Sequence, residues 1–291
     1  MQLANVVLAK RVNKSFQIML KSRIITSAIL LPLIILAILF LPPVFFTIIL
    51  AIVFIMAAWE WTNLVGFTML LYRWLYVIAI VLSVLLLLSL PSLLVTSVYL
   101  LLSLVWVWCL VAVIAYSKNI GSVGLNAPAL RALLGFLVMI PSFAAMLFLK
   151  TGLAHPFWLL YILFVTFAVD IGGYFVGRWF GKTALSVRVS PKKTWQGFWG
   201  GIIFASINAI GWSFCLMLST HQRFFVIFYA LIAAAYSVVG DLIVSLLKRI
   251  VGLKDTGHII PGHGGLLDRL DSIFAGTTVF VFLLIVFGLT A

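Results

Sequence analysis

Apolar runs of about 20 residues recur along the whole chain, interrupted only at charges, prolines and glycines, and a run of that length crosses a bilayer as one helix. Hydrocarbon offers no water to satisfy backbone N–H and C=O groups, so each run must close its hydrogen bonds internally, and helices are the default. The alternating polar and apolar segments that a membrane barrel needs are absent. The chain therefore reads as an all-α, polytopic helical membrane protein with about nine spans. They fall near 24–41, 43–59, 74–90, 93–115, 132–149, 157–177, 198–218, 224–247 and 272–290. The second is the shortest clear run, which suits a tilted or partly interfacial helix. Pro42-Pro43 and Pro91 mark tight turns between neighbouring spans.

Of the 19 Lys and Arg residues, all but Lys150 and Arg223 fall in segments on the N-terminal side of such a layout. The positive-inside rule then places the N-terminus in the cytoplasm and the C-terminus outside, as an odd number of spans also requires. The two longest polar loops, 178–197 and 248–271, share the cytoplasmic face. Three regions follow: a basic cytoplasmic segment 1–23, a transmembrane scaffold 24–150, and a region 151–291 that carries both long loops. The opening resembles a signal peptide, but the run Ile24–Leu41 exceeds a usual h-region and no A-x-A site follows. An uncleaved first span is expected.

The net charge of +13 does not indicate nucleic acid, because the positive residues lie between apolar runs. An anionic lipid face and phosphorylated substrates account for it better. Cys109 and Cys215 sit inside apolar runs without CxxC spacing and read as packing residues.

Charged residues make up only 9% of the chain, and five of its six carboxylates lie between Asp170 and Asp271; Glu60 stands apart. An ionised carboxylate at membrane depth costs roughly 2.5–3.5 kcal/mol on insertion scales, so such groups face a cavity, a cation or one another. Asp241, Ser245 and Lys248 follow i, i+4, i+7 and share one helical face. They form either the polar stripe of a site or an ion pair that fixes packing. Asp268 and Asp271, at i, i+3, open the last span. Helix capping explains one of them but not the preceding Pro261-Gly262-His263-Gly264-Gly265, whose glycines allow close backbone approach to phosphate. His263 reads as a phosphate contact or loop-ordering residue, with acid/base and ligand roles open. No Cys or His pair has zinc spacing. Oxygen-only ligands suit Mg²⁺, which is held by one or two carboxylates plus substrate phosphates.

In the other long loop, Arg188, Lys192 and Lys193 can neutralise phosphate, and Ser190 and Thr194 can donate hydrogen bonds. The alternative is a basic interfacial loop anchored by Trp195. The G-x-x-x-x-G-K order of a Walker A loop is missing. Gly173, Gly177 and Gly181 recur every four residues, a tight helix-packing face. Asp170, just before them, suits a cavity or a structural hydrogen bond equally.

The run Ser245-Leu246-Leu247-Lys248-Arg249, then Lys254-Asp255, then His263-Gly264-Gly265-Leu266-Leu267-Asp268-Arg269-Leu270-Asp271 resembles the signature of the phosphatidate cytidylyltransferases, or CDP-diglyceride synthases. Ser190-Pro191-Lys192-Lys193-Thr194-Trp195 resembles the family's other recurrent segment. Together they cover roughly 165–275. Met19-Leu20-Lys21-Ser22-Arg23-Ile24 resembles a family start, which makes 1–18 either an extension or the product of an upstream start. The resemblance implies transfer of the cytidylyl group of CTP to phosphatidate in phospholipid biosynthesis, at the cytoplasmic face of a bacterial-type inner (plasma) membrane. It also implies Mg²⁺, in some members K⁺ beside it, and a homodimer.

On these readings Asp241 and Asp268 are expected to hold the metal, with Asp271 on or beside it, and Lys193 and Lys248 to complete the catalytic set. Lys192 and Arg249 would screen phosphates. Ser190, Thr194, Ser245, Lys254, His263, Gly264, Gly265 and Arg269 would join substrate binding. The reading from another class is an ion- or proton-coupled transporter using Asp170 or Asp241.

Overall fold

The computed structural model describes residues 28–153, 157–216, 218–259 and 264–288; the basic segment 1–23 lies outside them. The described chain is a bundle of helices: α1 (Ala28–Phe40), α2 (Pro43–Val65), α3 (Leu70–Ser89), α4 (Ser92–Ser103), α5 (Val105–Ser117), α6 (Pro128–Thr151), α7 (Phe157–Phe180), α8 (Trp195–Ser213), α9 (Thr220–Ile250) and α10 (Leu267–Phe287). Among the described residues eight helical segments are long and apolar enough to cross a membrane, with α4 and α5 counted together as Ser92–Ser117. Leu104, between those two, keeps right-handed helical angles (φ −62°, ψ −16°). The chain is a polytopic helical membrane protein.

Two expected boundaries move, for physical reasons. The second span is not short: α2 runs 23 residues and ends where Gly66 turns left-handed at φ 92°. Glu60 had marked its end in the sequence, yet this acid is buried inside the helix. Similarly α10 starts at Leu267, so Asp268 lies in its first turn.

The loop 178–197 contains an element the apolar pattern does not announce. β1 (Ala184–Ser186) and β2 (Ser190–Thr194) pair antiparallel, with a register irregularity between Ala184 and Ser186. Strands this short, one holding Pro191, carry no alternating signature. β2 runs straight into α8, whose N-cap is Thr194: its Oγ1 accepts from Gly197 N at 3.1 Å.

α9 and α10 form the centre, each with 72% of its apolar window buried, against 22% for α3. α7 and α8 meet along the expected glycine face. A Cβ at Gly201 would stand 2.7 Å from Val169 O, and one at Gly197 would stand 2.8 Å from Gly173 O. The two backbones are thus in contact. At one end of the bundle the connections converge. Arg249 Nε donates to Val189 O, Ser117 Oγ shares a hydrogen bond with Ser186 Oγ, and Asn63 Nδ2 donates to Thr256 O. Both long loops therefore lie at that end, while Lys150, bonded to Ile38 O, belongs to the other.

Candidate active site

α7, the β1–β2 hairpin, the start of α8 and the middle of α9 enclose a cleft of about 570 Å³, within the size range of small-molecule sites. Each element is placed by what it packs on: glycines bring α7 against α8, and the Thr194 cap fixes how the hairpin enters α8. Asp170 from α7, Ser190, Lys192, Lys193 and Thr194 from β2, and Asp241 from α9 line the cleft. Lys193 Nζ makes an ion pair with Asp241 Oδ2. Ser245 Oγ donates to Asp241 Oδ1 at 3.1 Å, as the i, i+4 spacing predicts.

Burial works against the charge of Lys193, but Asp241 in direct contact, with Asp170 and Asp271 beyond it, outweighs that and holds the ammonium above its ordinary value. One cation thus stands among three carboxylates. Arg269, exposed at the surface, and Ser272 act on Asp170 from the α10 side. Asp271 is buried, and its Oδ1 accepts from Ser272 N at 2.7 Å.

Asp268 belongs to a neighbouring but separate node. Its Oδ1 accepts from Lys248 Nζ at 2.5 Å; its Oδ2 accepts from Thr256 N, Thr256 Oγ1 and Gly265 N at 2.9, 3.0 and 3.3 Å. A carboxylate offers about four lone-pair sites; here Oδ2 is crowded with three contacts while Oδ1 meets Lys248 alone. The expected Asp241–Asp268 pair is therefore two pairs, each acid with its own lysine. Lys248 still acts electrostatically on Asp241 from its place beside Asp268.

The remaining expected residues separate clearly. Arg249 is exposed and anchors the hairpin through Val189 O. Arg188 is drawn away from the cleft, bonded to Asn119 Oδ1 and stacked over Tyr116. Lys254 is exposed on the loop before α10. Gly264 has φ +84° and faces Asp255. Gly265 has no room for a side chain, because a Cβ would lie 2.0 Å from Thr256 Oγ1. His263 lies outside the described residues. Sequence reasoning left Asp170 undecided and passed over Glu60 and Thr256. The signal for Asp170 was present, since Asp170, Gly173 and Gly177 share one face of α7.

The donors around Lys193 are oxygens of Asp170, Asp241 and Asp271, which is the chemistry a hard cation takes. Among the described residues no three acidic, His or Cys side chains converge closely enough to hold a metal by themselves. Mg²⁺ does not require that, since it is commonly bound by one or two carboxylates and completed by water and substrate phosphates. The residues fit such an ion.

Comparison with known proteins agrees with this chemistry. The model of the cytidylyltransferase family matches residues 21–287. Phosphatidate cytidylyltransferase of Pseudomonas aeruginosa is 34% identical over 268 residues, covering 91% of this chain and 97% of the relative. Phosphatidate cytidylyltransferase of Haemophilus influenzae is 34% identical over 283 residues, covering 90% and 97%. Nothing in these matches supports a transporter. An oxygen-lined cleft with a lysine among its acids, in a chain matched nearly end to end, belongs to a member of the cytidylyltransferase family.

Proposed function

We propose that the protein transfers the cytidylyl group of CTP to phosphatidate, giving CDP-diacylglycerol and pyrophosphate for phospholipid synthesis. The observation that carries this reading is the cleft where Lys193 meets Asp241, beside Asp170 and the polar residues of β2. In the reaction a phosphate oxygen of phosphatidate bonds to the α-phosphorus of CTP. The bond from that phosphorus to the bridging oxygen breaks, and its electron pair leaves with pyrophosphate. A phosphate monoester is already anionic at neutral pH, so no strong base is needed. The obstacle is repulsion between anions, which fixed cations and dipoles relieve.

Lys193 and Lys192 supply positive charge within the cleft, and Lys248 supplies it from beside Asp268. The N-terminus of α8 adds the positive end of its helix dipole at the cleft wall, where Gly197 and Phe198 stand. Asp241, with Asp170 and Asp271 beside it, would hold Mg²⁺, whose chemistry there is to neutralise phosphate charge. Asp268 we assign to holding Lys248 and the loop before α10. The acyl chains would remain in the bilayer, reaching the cleft between helices. The cleft faces the cytoplasm in this reading, in a bacterial-type inner membrane, on the strength of the Lys and Arg distribution. A homodimer and a K⁺ beside the Mg²⁺ remain part of the proposal on family resemblance alone.

The test is incubation of the purified protein with CTP labelled at the α-phosphate, with and without phosphatidate. Label should enter the lipid phase only when phosphatidate and Mg²⁺ are both present. Transfer that ignores phosphatidate would overturn the assignment.

A further inference from the structure

The acid set apart in the sequence turns out to be joined to the loop that opens α10. Glu60, on α2 of the N-terminal scaffold, is 1% exposed. Its Oε2 accepts from Leu267 N at 2.8 Å and from Thr256 Oγ1 at 3.1 Å, bridging 207 and 196 residues of sequence. Thr256, also 1% exposed, lies between two carboxylates that share its one hydroxyl proton, since Oγ1 is 3.0 Å from Asp268 Oδ2 as well. The Thr256 carbonyl accepts from Asn63 Nδ2 at 2.7 Å, and Asn63 Oδ1 accepts from Arg73 Nη2 at 2.8 Å. The fit is close on every side. A Cβ at Gly257 would lie 2.3 Å from Glu60 Oε1, and one at Gly265 would lie 2.6 Å from Oε2.

The geometry points to Glu60 as a positioning residue for the reaction: through Thr256 and the Leu267 amide it sets the loop and the first turn of α10, and thereby Asp268 and Lys248. This inference rests on the proposed function for its kinetic consequences, but not for its structural ones. Two features exclude simple filling of space. Glu60 is buried in an apolar helix, where a carboxylate is costly unless its bonds are needed. Both of its bonds, moreover, land on loop and α10 atoms, whereas Lys248, fixed by Asp268, carries the charge toward Asp241.

Among the described residues Oε1 has no hydrogen-bond partner. Glutamine can therefore put its carbonyl oxygen where Oε2 stands, and its amide group where no donor is lost. Alanine removes both bonds. The experiment uses the full chain in detergent or lipid, with Glu60→Gln, Glu60→Ala and Thr256→Val. Amide hydrogen exchange is read without substrate. In Glu60→Ala, exchange at 253–257 and 264–268 should rise about tenfold or more, while the α7–α8 contact stays protected. Steady-state kinetics with CTP and phosphatidate should show kcat falling about tenfold to a hundredfold, as a small displacement of charged groups does. KM for CTP and for phosphatidate should change much less than kcat, because the loop is not part of the cleft wall. Glu60→Gln should restore both readouts. Should Glu60→Ala fail to fold, Thr256→Val carries the same test through the shared hydroxyl.

Unchanged exchange in the folded variants would overturn the proposal. So would raised exchange with unchanged kinetics, or a Gln variant as impaired as Ala. Failure of the wild type to use phosphatidate would overturn the function while leaving the exchange result to decide the positioning role.

Discussion

Asp241 and Asp268 look equivalent in the sequence, each an aspartate near a lysine at the same membrane face. Their surroundings assign them different work. Asp241 holds Lys193 in the cleft and keeps one further contact, from Ser245. Asp268 meets Lys248 Nζ, two backbone N–H groups and the hydroxyl that Thr256 shares with Glu60. Asp241→Asn should therefore lower kcat for CDP-diacylglycerol formation by about 10²–10³, comparable to losing one electrostatic group at a reacting centre. Its melting temperature should stay near wild type, because Asp170 and Asp271 still compensate Lys193. Asp268→Asn places an amide donor where donors already converge, an error worth about 1–3 kcal/mol, so its melting temperature should fall together with activity. Thermal unfolding and kinetics on both variants separate the roles. Normal turnover in Asp241→Asn at limiting Mg²⁺ would remove it from the metal and phosphate site. The residue types and the two loops were legible from sequence. The pairing was not, because the i, i+4, i+7 stripe on α9 says nothing about β2, and Lys193 reaches Asp241 from another element.

At the scale of elements, the α7–α8 contact places the cleft. Asp170 rises from α7, and Lys193 sits on the hairpin that leads into α8, so their separation depends on how closely those helices lie. Gly201→Leu must push aside the Val169 carbonyl. Such overpacking costs about 1–3 kcal/mol and should reduce both thermal stability and activity. Gly211→Ala, in the same helix but with nothing within 4 Å of its Cβ, should leave both unchanged. Equal effects from the two would mean that the glycine face does not determine the cleft. The four-residue glycine period announced this contact, and apolar runs announced the helices. The hairpin stayed hidden because pairing of three- and five-residue strands depends on partners, not on periodicity. The ends of α2 and α10 stayed hidden for a related reason: charge was read as a boundary, and at Glu60 and Asp268 the charge is satisfied inside the structure.

For the whole molecule, the bundle has one polar, chemically equipped end and one plain end. Cysteines at Val187, which is 71% exposed, and at exposed Lys254 should both react with an impermeant maleimide from the cytoplasm. One at exposed Thr151 should react from outside. The assay needs a background lacking exposed Cys215. Labelling of the first two from opposite faces would break the shared site. Charge asymmetry pointed to both long loops sharing one end, since it sums over the whole chain and tolerates errors at any one boundary.

The tie from Glu60 to Leu267 also sets an order on the protein's manufacture. Synthesis proceeds at about 5–20 residues per second, and 207 residues separate the two. The acid therefore waits roughly 10 to 40 seconds in its helix before its partner exists. Throughout that interval the nascent chain has a scaffold but no finished reaction centre, and α2 must be carried into the bilayer by its apolar residues alone. The tie is complete only once α10 has begun. A ribosome that stops short of Thr256 leaves a bundle whose buried acid has neither of its two partners.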